Sequence, residues 1–202
     1  MKKYLTLILS CSVMALMACN NGSETARSGQ VTATGVAAIG GAFTLIDHNG
    51  QTVTEADLLG RPTLTYFGFT YCPDVCPTAL QSLGAALAPI DPKGDYFNTV
   101  LFSVDPERDT PELLKQYVKA PGFPKGLIGL TGDIEEVEAA KLSYKIYAAK
   151  VIDDSASDYL VDHASLIYLF DAGGKFVDVF THGTSVADMR ETLARYKKGN
   201  PL

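Results

Sequence analysis

Residues 63–77 read TLTYFGFTYCPDVCP, and this stretch decides the fold class. Its first seven residues are nearly all apolar or β-branched, as expected of a strand that is buried on both faces of a sheet. Beyond it, Leu80, Leu83, Leu87 and Ile90 recur at steps of three and four, which predicts a helix. A buried strand that leads into a helix is the repeating unit of α/β proteins with a mainly parallel sheet.

The same alternation continues on both sides of this stretch. The pattern predicts β-hairpins near residues 43–54 and 165–180, strands at 99–104 and 127–130, and helices that begin near 105–112, 133 and 185. We therefore predict an α/β fold of the thioredoxin-like kind. It would have a mainly parallel central sheet flanked by helices, an N-terminal β-hairpin, and a C-terminal β-hairpin followed by a helix.

The first residues of the chain predict export. Lys2 and Lys3 precede an uncharged, largely apolar run at 4–17, which is typical of a signal peptide and is shorter than the ~20 residues of a membrane-spanning helix. The run ends in LMAC at 16–19, which resembles the lipobox of bacterial lipoproteins, with Cys19 as the lipidated residue. An ordinary cleaved signal or a short uncleaved anchor is the alternative. We predict a signal at 1–19, a flexible small-residue tether at 20–40 and one domain at 41–200.

Net charge excludes some classes of binding partner and bears on how the chain reaches a membrane. The net charge is −6 and no basic cluster occurs, so the chain is a poor candidate for binding nucleic acid or anionic lipid. Membrane association would then come through the lipid anchor only. These features together predict a membrane-anchored lipoprotein of the bacterial cell envelope that faces the periplasm.

The cysteine pair is the main chemical signal. Of the four cysteines, Cys11 lies in the signal and Cys19 would carry lipid, which leaves Cys72 and Cys76 for the domain. Two residues four positions apart at the start of a helix lie on one face, where the helix N-terminus favours the thiolate form. The pair is therefore a disulfide, a redox couple or a metal site. A purely structural disulfide is disfavoured, because closing so short a loop gains only about 2 kcal/mol.

The histidines differ in their expected positions. His48 falls in a predicted turn and His182 near a predicted helix start, so both are expected to face solvent. In a thioredoxin-like fold, the segment that contains His163 packs beside the cysteine loop. Two thiolates and one imidazole suit copper(I) or zinc, and copper(I) accepts three ligands whereas structural zinc normally takes four protein ligands. Asp162 could act as an outer partner that orients the His163 ring.

Five segments of the sequence resemble the Sco/SenC family, the thioredoxin-fold copper chaperones used in assembling cytochrome c oxidase. They are GRP at 60–62, YFGFTYCPDVCP at 66–77, SVDPERDTP at 103–111, GLTG at 129–132 and VDH at 161–163. The resemblance implies that Cys72, Cys76 and His163 bind a copper ion. It also implies an assembly factor that carries or inserts copper for the dinuclear copper site of the oxidase, with the copper-receiving oxidase subunit as its partner. Ala164 departs from the family, in which Ser or Thr is frequent.

The family also shows thiol–disulfide chemistry at the same two cysteines, so a second function stays open. The alternative is a thiol–disulfide reductase that keeps the cysteines of an oxidase subunit reduced, with Cys72 and Cys76 as catalytic residues. A metallochaperone is the first choice, and whether the chain is also an enzyme is undecided. Because the periplasm is held oxidising, a free cysteine pair needs an electron donor, and we predict a thioredoxin-like membrane reductase as a further partner. Asp109, Thr110 and Glu112 are interpreted mainly as helix caps.

Overall fold

A mixed sheet of seven strands organises the structure, a computed structural model that describes residues 39–152 and 159–199. The strands of the described chain are β1 (Thr44–Asp47), β2 (Thr52–Thr54), β3 (Thr63–Gly68), β4 (Asn98–Ser103), β5 (Ile128–Thr131), β6 (Ala148–Val151), β7 (Leu160–His163), β8 (Leu166–Phe170) and β9 (Phe176–Thr181). The helices are α1 (Val75–Leu87), α2 (Pro111–Tyr117), α3 (Ile134–Ser143) and α4 (Val186–Lys197), with a short 3-10 helix at Glu55–Leu58.

The strand order of this main sheet is β2-β1-β5-β4-β3-β8-β9. Parallel pairing joins β3 to β4 and β4 to β5 at the centre, whereas the two hairpins at the edges are antiparallel. All of β3 is buried, which explains its almost uniformly apolar and β-branched sequence. The carboxyl end of this central strand therefore opens directly onto the loop that contains both cysteines.

Aromatic side chains fill the core on one face of the main sheet. The rings of Phe67 and Phe102, on neighbouring strands, stack with centroids 4.7 Å apart. Phe43 meets Phe102 edge-on, and Tyr144 packs against both stacked rings. Each of these side chains is nearly inaccessible to solvent, so the centre of the sheet is a fixed support for the loops that leave it.

The starts of three helices bear on the sequence-based expectations. Helix α1 begins at Val75, so Cys76 is its second residue and Pro77 its third. Thr110 caps α2 by accepting a hydrogen bond from the Leu113 amide, whereas Asp109 points into the core. Ile134, the first residue of α3, is exposed.

A second, two-stranded sheet was not predicted. Strands β6 and β7 pair only with each other in the described part of the chain, with Ala148 opposite His163 and Val151 opposite Leu160. Their sequences, AAKV and LVDH, are short and mix polar with apolar residues, so they lack a strong alternating pattern. We call this pair of strands the histidine arm.

The predicted signal, Cys19 and nearly all of the predicted tether lie outside the described residues, so the domain boundaries stay a prediction. Within residues 39–152 and 159–199, no helix is long and apolar enough to cross a membrane.

Candidate metal centre

The cysteine loop, residues 69–76, runs from the end of β3 into the first turn of α1. The Cys72 amide donates to the Phe69 carbonyl over 3.3 Å, and the Cys76 amide donates to Cys72 Sγ over 3.3 Å. Cys76 is fully buried and Cys72 is half-buried, and both are free thiols. The turn thus directs the two sulfur atoms to the same place, as the spacing of the cysteines predicted.

His163 ends β7 and brings an imidazole to these sulfurs. Its Nε2 lies 3.2 Å from Cys76 Sγ, and its Nδ1 lies 3.3 Å from the Ala164 carbonyl oxygen. The ring meets Phe69 and Tyr66 edge-on, with centroids 5.7 and 6.2 Å away. The imidazole is therefore placed by aromatic walls as well as by its own strand.

The three ligand atoms lie within 4.8 Å of one another. Metal–sulfur bonds of about 2.3 Å and metal–nitrogen bonds of about 2.0 Å place the ligands of one ion at such separations. Two sulfurs and one imidazole nitrogen form a soft donor set, which suits copper(I) and disfavours magnesium or calcium. Cys72, Cys76 and His163 therefore fit a bound copper ion.

The two thiols differ in their protonation. A hydrogen bond from the Cys76 thiol, helped by the His163 ring and by backbone amides, holds the pKa of Cys72 well below its ordinary value. Donating that hydrogen bond, together with burial, raises the pKa of Cys76. In the reduced pair, this hydrogen bond therefore favours the proton on Cys76 over the proton on Cys72. A metal ion that binds both sulfurs must displace this proton.

Gly68 makes room for the site. A Cβ atom at this position would lie 2.7 Å from Tyr66 Cε1 and 2.9 Å from Cys76 Sγ, both closer than real contacts allow. The Tyr66 hydroxyl in turn lies 3.2 Å from Ser165 Oγ, at the start of the C-terminal hairpin. Sequence reasoning did not single out Gly68, because a glycine within a strand pattern indicates only that some backbone or ligand approaches closely.

Asp109 anchors the cysteine loop to β4. Its carboxylate accepts hydrogen bonds from the Thr70 amide at 3.2 Å and from the hydroxyls of Thr70 and Ser103 at 2.6 Å each. Burial raises the pKa of Asp109. The capping interpretation of Asp109 was therefore wrong. This residue ties the loop before Cys72 to β4, a role that only the path of the chain reveals.

The remaining candidates lie apart from the sulfurs. Asp162 is exposed, because successive residues of a strand point to opposite faces and His163 occupies the inner one. The Ala164 carbonyl oxygen takes the place beside His163 Nδ1 that was expected for Asp162. His48 accepts a hydrogen bond from the Gly129 amide, and His182 is exposed.

Comparison with known proteins identifies the family at this point. The family model SCO1/SenC matches residues 31–198. The chain belongs to the SCO1/SenC family. It is 43% identical over 162 residues to the mitochondrial SCO1 homolog 1 of Arabidopsis thaliana, covering 80% of this chain and 48% of that protein. The chain covers 48–60% of the length of three of its curated relatives.

Solved structures agree with this assignment. ScoI of Bradyrhizobium japonicum, determined with copper bound, is 44% identical with a TM-score of 0.71, over 79% of this chain and 99% of that one. BsSco, 25% identical with a TM-score of 0.60 over 78% and 90% of the two chains, is described as having a disulfide switch. It is also described as a member of the Sco family of cytochrome c oxidase assembly proteins. The thioredoxin-like fold class and the family resemblance predicted from the sequence are confirmed.

Proposed function

We propose that this chain is a copper-binding assembly factor that carries or inserts copper for the dinuclear copper site of cytochrome c oxidase. The observation that carries the proposal is the convergence of Cys72, Cys76 and His163 within 4.8 Å. The copper-bound ScoI structure supports copper as the ion, since that protein is 44% identical to this chain.

The exposure of the ligands suits a carrier. Cys76 is fully buried, whereas Cys72 and His163 are half-buried. A recipient protein can therefore approach two of the three ligands without unfolding the core. We propose the copper-receiving subunit of the oxidase as that recipient, in line with the description of BsSco as an oxidase assembly protein.

Copper titration tests this function. The reduced full chain should bind one copper(I) ion in competition with a chelator, and His163→Ala should weaken binding by roughly tenfold or more. His182→Ala is the matched control, because His182 is exposed, and it should bind as the wild type does. Equal affinity in the His163→Ala variant would show that His163 is not a ligand.

Thiol–disulfide reduction is the second candidate function. It is favoured by the lowered pKa of Cys72, which supplies a thiolate, and by the disulfide switch described for BsSco. The two functions share their sulfur atoms, so a Cys72–Cys76 disulfide must exclude tight copper binding. A free pair in an oxidising compartment also needs an electron donor, for which we propose a thioredoxin-like membrane reductase.

Copper uptake by the oxidised and reduced chain separates the candidates. The oxidised chain, with its disulfide verified by mass before and after the titration, should take up no tightly bound copper. Tight uptake by a chain that keeps its disulfide would show that copper binds at another site. It would favour the reductase function.

We further propose that Cys19 carries a lipid that anchors the chain to the bacterial cell envelope, facing the periplasm. The charged start, the short apolar run and the LMAC ending support this anchor. Cys19→Ser should release the chain from membranes or stall its processing. An intact, unmodified N-terminus found by mass spectrometry in the membrane fraction would contradict lipidation.

A further inference from the structure

One arginine lies between the two segments that carry the copper ligands. Arg108 sits in the loop that joins β4 to α2, and its guanidinium carbon lies 3.8 Å from the ring centroid of Tyr159. The same carbon lies 4.8 Å from the ring centroid of Tyr71. Tyr71 directly precedes Cys72, and Tyr159 directly precedes the strand that ends in His163. One cation therefore contacts both halves of the metal site.

Hydrogen bonds fix the arginine and the Tyr159 segment to each other. Arg108 Nε donates to Asp105 Oδ2 at 2.5 Å, and Arg108 Nη1 donates to the Tyr159 carbonyl at 3.0 Å. The Tyr159 hydroxyl donates to Asp105 Oδ1 at 2.7 Å. The Asp105 side chain is fully buried and the Arg108 side chain is 13% exposed, so water competes little with these contacts.

Besides the contacts of the His163 ring with Phe69 and Tyr66, the histidine arm has few other attachments to the body of the protein in the described residues. Val161 is buried beneath it, Lys141 Nζ donates to the Ala148 carbonyl at 3.3 Å, and Lys150 pairs with Glu107 in an exposed salt bridge. The contacts of Arg108 with Tyr159, in contrast, lie beside the cysteine loop. They bear directly on how closely His163 approaches the sulfurs.

We propose that Arg108 and Tyr159 form a clamp that holds His163 at copper-binding distance from Cys72 and Cys76. This inference rests on the proposed copper-binding function. Arginine suits the position, because its planar guanidinium stacks on an aromatic ring while its N–H groups bind a carboxylate and a carbonyl. Both residues act through His163 and are positioning residues.

Replacement of the Tyr159 ring tests the clamp without removing the charge that pairs with buried Asp105. In the reduced full chain, Tyr159→Leu should lower copper(I) affinity by about tenfold, because the imidazole is no longer held in place. Tyr159→Phe keeps the ring over Arg108 and should stay within about threefold of the wild type. Tyr147→Leu is the matched control, since Tyr147 is 62% exposed and lies next to the same arm. It should stay within about twofold.

Two further readouts separate positioning from general damage to the fold. In the copper(II) form, the nitrogen coupling seen by electron paramagnetic resonance should weaken in Tyr159→Leu and persist in Tyr147→Leu. In a His163→Ala background, Tyr159→Leu should change copper affinity by less than about twofold, because the clamp has no imidazole left to position. If Tyr159→Leu does not fold, Arg108→Lys serves instead. It keeps a positive charge beside Asp105 but loses the planar fork, and we expect about a threefold loss of affinity.

The outcomes distinguish a failure of the clamp from a failure of the proposed copper-binding function. Wild-type affinity in Tyr159→Leu, or an equal loss with and without His163, overturns the clamp while His163→Ala still weakens binding. If His163→Ala itself binds copper like the wild type, the ligand assignment fails and the clamp fails with it.

Discussion

The cysteine loop continues the central strand of the main sheet, whereas His163 ends a strand that pairs only with β6 among the described residues. Beneath the loop lie a fully buried strand and the carboxylate of Asp109, which holds Thr70. On the arm, Val151 and Leu160 are exposed, and Val161 is the only buried residue of the two strands. The two sulfur ligands are therefore placed by the fold itself, and the nitrogen ligand by a small number of side chains.

This difference bears on how copper is held and released. Moving the Cys76 sulfur requires disruption of α1, which belongs with β3 to the main hydrophobic core. Moving the imidazole requires only a shift of a short two-stranded sheet. The arm is the part of the site that a partner can displace at the lower cost in free energy. The predictions below test this contrast between a fixed half and a movable half.

Removal of a sulfur from the fixed half should have the largest effect. Cys76→Ser replaces a buried thiol with a hydroxyl, a poor ligand for copper(I), so copper affinity should fall by more than about a hundredfold. The loss should exceed that of His163→Ala, because a thiolate is a softer ligand for copper(I) than an imidazole. Chelator competition on both variants gives the ranking. A smaller loss for Cys76→Ser than for His163→Ala would reverse the contrast.

Crowding of the fixed half should have the next largest effect. Gly68→Ala forces a methyl group against Cys76 Sγ and Tyr66, so it should destabilise the fold by about 1–3 kcal/mol and lower copper affinity. Gly183→Ala is the matched control, since the nearest atom to its Cβ would be Thr181 Oγ1 at 3.9 Å. Denaturant unfolding of the two variants measures the effect. Equal stability of both variants would mean that the loop yields more readily than its burial indicates.

Asp109 offers a pH test of the support beneath the cysteine loop. Because burial raises the pKa of Asp109, the folded chain holds this proton more tightly than the unfolded chain, whose carboxyl has a pKa of about 4. Its contribution to stability is thus fully present below that value and is lost as pH rises through the folded pKa, by at most about 1.4 kcal/mol per pH unit. Asp109→Asn does not titrate.

The stability of the wild type minus that of Asp109→Asn should therefore fall as pH rises from about 4 and then level off. Urea unfolding of both chains between pH 4 and 8 measures this difference. A difference that rises with pH in that range would show that Thr70 and Ser103 hold the carboxylate ionised strongly enough to outweigh burial.

A substitution on the surface of the histidine arm should have the smallest effect on copper affinity and stability. Lys150→Met removes the salt bridge to Glu107, and both side chains are nearly half exposed. Water and salt screen such pairs, so copper affinity and the unfolding midpoint should match those of the wild type within error. A salt titration of the wild type should likewise leave copper affinity unchanged. A loss as large as that expected for Tyr159→Leu would show that Lys150, whose Nζ lies 4.6 Å from the Tyr159 ring centroid, holds the arm in place of Arg108.

Most of the site could be predicted from the sequence, because the signals for the cysteine pair are local. The positions of Cys72 and Cys76 between a buried strand and a helix follow from residues 63–90 alone, and the structure brings both thiols to one place. The position of His163 could be predicted only through the expected fold, because it lies on the far side of α2 and α3 in the chain. Strands β6 and β7 were missed, since short strands with mixed polarity give no clear period.

By itself, the sequence determined the α/β class and the cysteine pair at a helix start, because each depends on residue type and near spacing. Only the tertiary structure decided what holds the ligands. Asp109 reaches Thr70 across 39 positions and Arg108 reaches Tyr159 across 51, and no local pattern encodes either contact. Such partners are selected by the path of the chain between distant elements, which forms only when the whole sheet and its core are assembled.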